Sequence, residues 1–228
     1  MANQTKTFME EEGDNYFRRN KATLESAAAK WGEQFSDIDW IHHCLAPFRN
    51  EIGSILEVGC ANGSKLARIC NLLDARGSGI DPSQLAVAEG NRKLGDGGIE
   101  LHAGTASKLP FENQSFDLVY FGFCLYLVDR QDLLPAVAEA DRVLRNGGFL
   151  AITDFDPIHQ HKRPYHHKAG VFSFKQDYSK LFTASGMYSL VAKTSFSHHQ
   201  PSFDPDGNER VSTTLLFKEM DAYSTVGG

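Results

Sequence analysis

The sequence predicts an α/β domain built on a doubly wound, mostly parallel sheet, with a helical cap at its N-terminal end. Three observations predict it. Short apolar runs alternate with helical patterns between residues 54 and 153, and such alternation implies parallel strands with helices on both faces. The runs are apolar throughout rather than at every second position, as in strands buried on both sides. The chain has 228 residues, 41% hydrophobic and 23% charged, which fills one α/β domain and is too short for two.

The elements follow in order. Residues 14–48 read as helices, with Phe17, Leu24, Ala27, Ala28 and Trp31 near one face and a second apolar set at Phe35, Ile38, Ile41, Leu45 and Phe48. They are expected to pack beside the core over its ligand mouth, so residues 1–50 form a cap segment and 51–220 the main domain. Within that domain the pattern gives a strand at 54–58, a helix at 64–73, a strand at 77–80 and a helix at 82–94. Strands at 99–103 and 116–121 follow, then a helix at 132–144 broken by Asn146-Gly147-Gly148, and a fifth strand at 149–153. Residues 156–174 read as a loop rich in His, Pro and aromatics, and 175–185 as a helix stopped by Gly186. Alternating runs at 188–197 and 211–218 bring the sheet to seven strands. Residues 221–228 are expected to be a disordered tail.

Composition bounds the function. Cys44, Cys60, Cys70 and Cys124 show no C-x-x-C spacing, which argues against a zinc site or a disulfide framework and suits a reducing cytoplasm. No metal is expected. A net charge of −6 offers no general attraction to a phosphate backbone, so a nucleic-acid partner is not expected. No apolar run is long enough to cross a bilayer, and the polar, then acidic N-terminus lacks the pattern of a secretory signal. Oligomeric state is not legible.

The decisive stretch is Ile55-Leu56-Glu57-Val58-Gly59-Cys60-Ala61-Asn62-Gly63. An apolar strand runs through a glycine-containing turn straight into a helix, whose N-terminal amide groups point at the turn. Asp81 closes the next strand, where a carboxylate can accept both hydroxyls of a ribose. A tight turn followed by a helix-capping Asp is the plainer explanation of the same residues. A nicotinamide-dependent oxidoreductase is the competing ligand reading, but its G-x-G-x-x-G fingerprint fails at the second and third glycines.

This segment resembles motif I of the class I S-adenosylmethionine-dependent methyltransferases. The resemblance extends to Leu109-Pro110-Phe111 with Ser115-Phe116-Asp117-Leu118-Val119, and to Leu144-Arg145-Asn146-Gly147-Gly148-Phe149-Leu150. It covers about residues 54–154 and implies the family's Rossmann-like fold with S-adenosyl-L-methionine as cofactor and S-adenosyl-L-homocysteine as product. It further implies that Glu57 organises the methionine amine, with Gly59, Cys60 and Ala61 lining the methionine by their backbone. Asp81 would hold the ribose, with Pro82 and Ser83 beside the adenine; Thr105 and Ala106 would flank the adenine ring, and Phe121 and Gly122 would meet the methionine end. Ala61 stands where the family has a glycine, which requires that its φ stay negative. Thr105 stands where many members carry Asp, so the adenine amine contact passes to Ser107 or to backbone.

The resemblance implies an enzyme whose main task is to align an acceptor with the methyl group and exclude water. No N/D-P-P-Y/F motif follows the fourth strand, so a nucleobase acceptor is not supported. Candidate bases are His166 and His167, with Tyr165 beside them, in the histidine-rich loop past the fifth strand. Candidate acceptor-binding residues are Arg18, Tyr126, Asp154 and Tyr178. A small polar metabolite such as a sugar, an amino acid or a biosynthetic intermediate is the expected acceptor, methylated at O or N. A peptide or protein acceptor is the alternative, and a non-catalytic cofactor-binding subunit is the alternative outside enzymes.

Overall fold

A computed structural model describes residues 3–30, 37–198 and 202–220. Trp31, Phe35 and the 221–228 tail lie outside them. The central sheet has seven strands in the order β3-β2-β1-β4-β5-β9-β8. Strands β1 (Ser54–Val58), β2 (Arg76–Asp81), β3 (Ile99–Ala103), β4 (Phe116–Gly122) and β5 (Leu144–Phe155) are parallel, and β9 (Arg210–Lys218) runs antiparallel between β5 and β8 (Tyr188–Ser197). Side chains of a strand alternate between faces. Leu56, Val58, Val119, Phe121, Leu150 and Ile152 accordingly enter one apolar cluster, and Ile55, Leu118, Tyr120, Phe149 and Ala151 the other. Two buried faces explain why these strands read as continuous apolar runs.

The N-terminal segment begins earlier than its pattern suggests. A helical turn α1 (Gln4–Thr7) passes through a π-helical turn (Phe8–Glu12) into α2 (Gly13–Lys30). The polar residues hid this start, because the contacts that order it are long-range hydrogen bonds. The buried Gln4 side chain donates to the carbonyls of Leu127 (2.6 Å) and Phe172 (2.9 Å) and accepts from the Phe172 amide (3.0 Å). Helix α3 (Asp37–Leu45) places Ile38, Ile41 and Leu45 in the sheet's second cluster. At about 1.5–3 kcal/mol per buried aliphatic side chain, these three hold a helix too short to persist alone.

Helices α4 (Ser64–Leu73), α5 (Gln84–Leu94) and α6 (Arg130–Val143) fill the crossovers. Ser83, not Asp81, caps α5, its hydroxyl accepting from the Ala86 amide at 3.0 Å. Three expectations change in the last third. Asn146-Gly147-Gly148 does not break the chain between elements but lies inside β5, where the register with β4 slips between Phe116 and Leu118. The expected loop at 156–174 contains β6 (His161–Pro164), paired antiparallel with β7 (Phe172–Lys175). The helix expected at 175–185 shrinks to α7 (Lys180–Thr183), because Lys175 belongs to β7.

Candidate active site

One cavity of about 240 Å³ opens at the C-terminal ends of β1, β2 and β4. In a doubly wound sheet this is where ligands bind. Its floor is the turn after β1. The amides of Gly59 (2.9 Å) and Cys60 (3.2 Å) both donate to the Ile80 carbonyl, which folds the turn over the end of β2. Gly59 has φ +79°, and a Cβ there would lie 2.5 Å from that of Cys124, so both conformation and space demand glycine.

Ala61 departs from expectation. Its φ is +47°, in the left-handed region, where a methyl side chain costs about 1 kcal/mol relative to glycine. Its amide donates to Asp81 Oδ2 at 2.8 Å, and that charge-assisted bond holds the strained residue in place. Asp81 Oδ1 accepts from the Ser83 amide at 2.8 Å. Each oxygen therefore has one backbone donor and a lone pair to spare. Burial pushes this carboxyl up to about 6 against those two bonds.

Glu57 is the most unusual group in the wall. It is 1% exposed, and its Oε2 has no hydrogen-bond partner among the described residues. Burial pushes its carboxyl up to about 8, with the Lys65 ammonium opposing that rise. Gly122 follows from it, since a Cβ at 122 would sit 2.6 Å from Glu57 Oε1. The cations of the wall are already paired: Lys65 Nζ lies 2.5 Å from Asp37 Oδ2, and Arg68 Nη2 lies 2.5 Å from Asp39 Oδ1. Gly104, Thr105, Ala106 and Ser107 close the side beyond β2, with the Thr105 and Ser107 hydroxyls 3.3 Å apart.

The cap forms the roof through Phe8, Gly13, Tyr16 and Leu24. Asp14 fixes it to α5, accepting from the Ser83 hydroxyl (2.8 Å) and the Leu85 amide (3.1 Å). Gly13 presses on the chain after β2 so closely that a Cβ would meet Ser83 N at 3.1 Å. Burial and the Asp81 charge raise the Tyr16 phenol above its ordinary value.

The structure brings together Glu57, Gly59, Cys60, Ala61, Asp81, Pro82, Thr105, Ala106 and Gly122 on this wall. Phe121 is not with them. Its ring points to the opposite side of β4, fully buried and 6.4 Å from the Phe182 ring.

The expected acceptor and base residues also stand elsewhere. His166 and His167 are exposed between β6 and β7, and Tyr165 contacts the cap, 6.2 Å from the Phe8 ring and 3.3 Å from Arg19 Nη2. Arg18 is exposed and donates to Asn15 Oδ1. Tyr126 and Tyr178 pack in the core, and Tyr178 donates to the Phe174 carbonyl at 2.5 Å. Asp154 is 2% exposed and accepts from the amides of Tyr126 (3.2 Å) and Phe155 (2.8 Å). It braces the turn after β4 rather than facing the cavity, and burial pushes its carboxyl up to about 7. The residues that do line this end are Phe123, Cys124, Leu127, Val128, Thr5 and Asp132. Phe123-Cys124 directly follows Gly122 and could have been read as lining. Thr5 and Asp132 carry no local signal.

Residues 56–152 match the family model described as a methyltransferase domain. An O-methyltransferase of Penicillium expansum is 32% identical over 120 residues, covering 50% of this chain and 42% of that protein. A ubiquinone/menaquinone biosynthesis C-methyltransferase of Coxiella burnetii is 33% identical over 149 residues, covering 59% of this chain and 58% of that protein. The chain thus spans about half the length of these curated relatives. Among solved structures, the 1,6-didemethyltoxoflavin N1-methyltransferase of Burkholderia thailandensis superposes with a TM-score of 0.63 at 14% identity, covering 90% of this chain and 89% of that one. The MccD protein gives 0.61 at 19% identity, covering 80% and 96%. At those identities the likeness is one of fold. Over residues 56–152 the chain is similar to the methyltransferase domain family, and the strand order and the geometry of the turn after β1 agree with that similarity.

Proposed function

We propose that this chain transfers a methyl group from S-adenosyl-L-methionine to a small-molecule acceptor held under the cap. The observation that carries this reading is Glu57 Oε2, a buried carboxyl oxygen in the cavity wall with no hydrogen-bond partner among the described residues. An orphaned buried acceptor costs about 1–3 kcal/mol, and a ligand ammonium group satisfies it. Asp81 supports the same reading, since its free lone pairs suit a ribose diol. The bound sulfonium supplies an electrophilic methyl group and leaves as a neutral thioether.

The chain's own residues bind and align. Glu57 and the Gly59 turn hold the amino-acid end, Asp81 the ribose, and Thr105, Ala106 and Ser107 the base. Phe8, Gly13 and Tyr16 exclude water from above. At the transfer end, burial holds the Cys124 thiol well above its ordinary range, so no thiolate serves as base at neutral pH. An acceptor that brings its own nucleophilic lone pair or ionises readily needs no thiolate there. The transfer end is lined mainly by Phe8, Phe123, Cys124, Leu127 and Val128, with Thr5 and Asp132 as its polar groups, which favours an acceptor with an apolar body over a sugar or free amino acid. The quinone-biosynthesis name of the Coxiella relative is in keeping with this. A cavity roofed by Phe8, Gly13, Tyr16 and Leu24 favours a small molecule over a peptide.

The test is transfer of labelled methyl from S-adenosyl-L-methionine into an organic-soluble metabolite extract. Label in small apolar products supports the reading. Label confined to protein or nucleic acid contradicts it.

A further inference from the structure

Among the described residues three carboxylates line the cavity: Glu57, Asp81 and Asp132. The first two stand at the ends of β1 and β2. Asp132 lies in the first turn of α6, beyond β4 on the side of β5, and so at the far end of the cavity from Asp81. Between them runs the apolar wall of Phe123, Leu127 and Val128. Among the described residues the hydrogen-bond partner of the Asp132 side chain is the Thr5 hydroxyl, which donates to Oδ2, and no lysine or arginine is paired with it. The cap's Thr5 thereby sets the carboxylate against the roof. The two cations of the wall, Lys65 and Arg68, are matched to Asp37 and Asp39, so no spare positive charge there welcomes an anion.

We propose that Asp132 is the specificity-determining residue of the acceptor compartment, selecting acceptors whose apolar body ends in a hydrogen-bond donor, an ammonium or hydroxyl group, and rejecting carboxylates and phosphates. This rests on the reading of the neighbouring subsite as the place of the methyl donor. A half-buried carboxylate without a cation gains from a donor at its open oxygen and repels a second anion at close range. The apolar wall supplies attraction for the body and Asp132 decides the end group.

The experiment uses the whole chain saturated with S-adenosyl-L-homocysteine and three probes sharing one ring system: 1-naphthylmethylamine, 1-naphthylmethanol and 1-naphthoate. Calorimetry should show the amine and alcohol binding at least tenfold more tightly than the carboxylate. Asp132→Asn should bring amine and carboxylate within about threefold of each other while leaving S-adenosyl-L-homocysteine affinity unchanged. Asp132→Ser, which also removes the carboxylate, should bring the two probes within the same threefold and covers the case in which Asp132→Asn folds poorly. Equal or tighter binding of the carboxylate, no binding of any probe, or an unaltered ratio in Asp132→Asn would each overturn the proposal. Failure of S-adenosyl-L-homocysteine itself to bind would overturn the underlying site reading and the proposal with it.

Discussion

Replacing Glu57 by Gln separates the binding role of this residue from its effect on folding. Burial raises the carboxyl from 4.5 to about 8. An acid whose folded pKa lies above its unfolded one weakens the fold as pH rises. The full stability is present below pH 4.5, and it is lost progressively up to about pH 8. At about 1.36 kcal/mol per unit, a shift of this size is worth roughly 5 kcal/mol once the group is fully ionised. A neutral amide escapes that cost but leaves its own unpaired polar atoms, at about 1–3 kcal/mol. Glu57→Gln is therefore expected to stabilise the cofactor-free protein by about 2 kcal/mol at pH 8 and not at pH 4.5. For a domain of this size that is a rise in Tm of roughly 4–8 °C. The same change removes the partner of the ligand's ammonium and should weaken S-adenosyl-L-homocysteine about 100-fold. Thermal melts at pH 5 and pH 8 with parallel calorimetry read both effects. A lower Tm at pH 8, or unchanged affinity, would refute the reasoning.

Other outcomes follow from the same geometry. Below about pH 8 the free protein holds Glu57 neutral, so binding an ammonium ligand should release a proton and strengthen as pH rises towards 8; calorimetry in two buffers of different ionisation enthalpy measures the release. Ala61→Gly should stabilise the fold by about 1 kcal/mol because φ +47° is free of penalty for glycine, read from denaturant midpoints. Replacing His166 and His167 together by Ala should leave turnover within about twofold, since both are exposed and neither lines the cavity; a loss of tenfold or more would return them to the reaction.

The sheet and the residues that line the cavity at the end of β1 were legible because their signals are local. Strands buried on both faces print as apolar runs, and the Gly59 turn with Asp81 prints as a motif. What escaped depends on contacts distant in sequence. Gln4 is ordered by Leu127 and Phe172, and nothing around Gln4 announces them. The hairpin of β6 and β7 pairs His-Lys-Arg-Pro with Phe-Ser-Phe-Lys, segments with no shared apolar alternation. The histidines drew attention by chemistry alone, yet they occupy an exposed turn. Ala61 was expected to keep a negative φ, but a bond to Asp81 holds it across the steric boundary. Asp154 sits at the end of β5 as expected, but its oxygens are engaged by the backbone of the neighbouring turn.

The central claim is that the turn after Val58 and the carboxylates Glu57 and Asp81 cradle the nucleoside and amine of the methyl donor. A crystal structure of the chain with S-adenosyl-L-homocysteine tests it most directly. Ribose hydroxyls on Asp81 and the ammonium group near Glu57 Oε2 are the predicted result. The ligand bound elsewhere, with Glu57 still unpartnered, would contradict it.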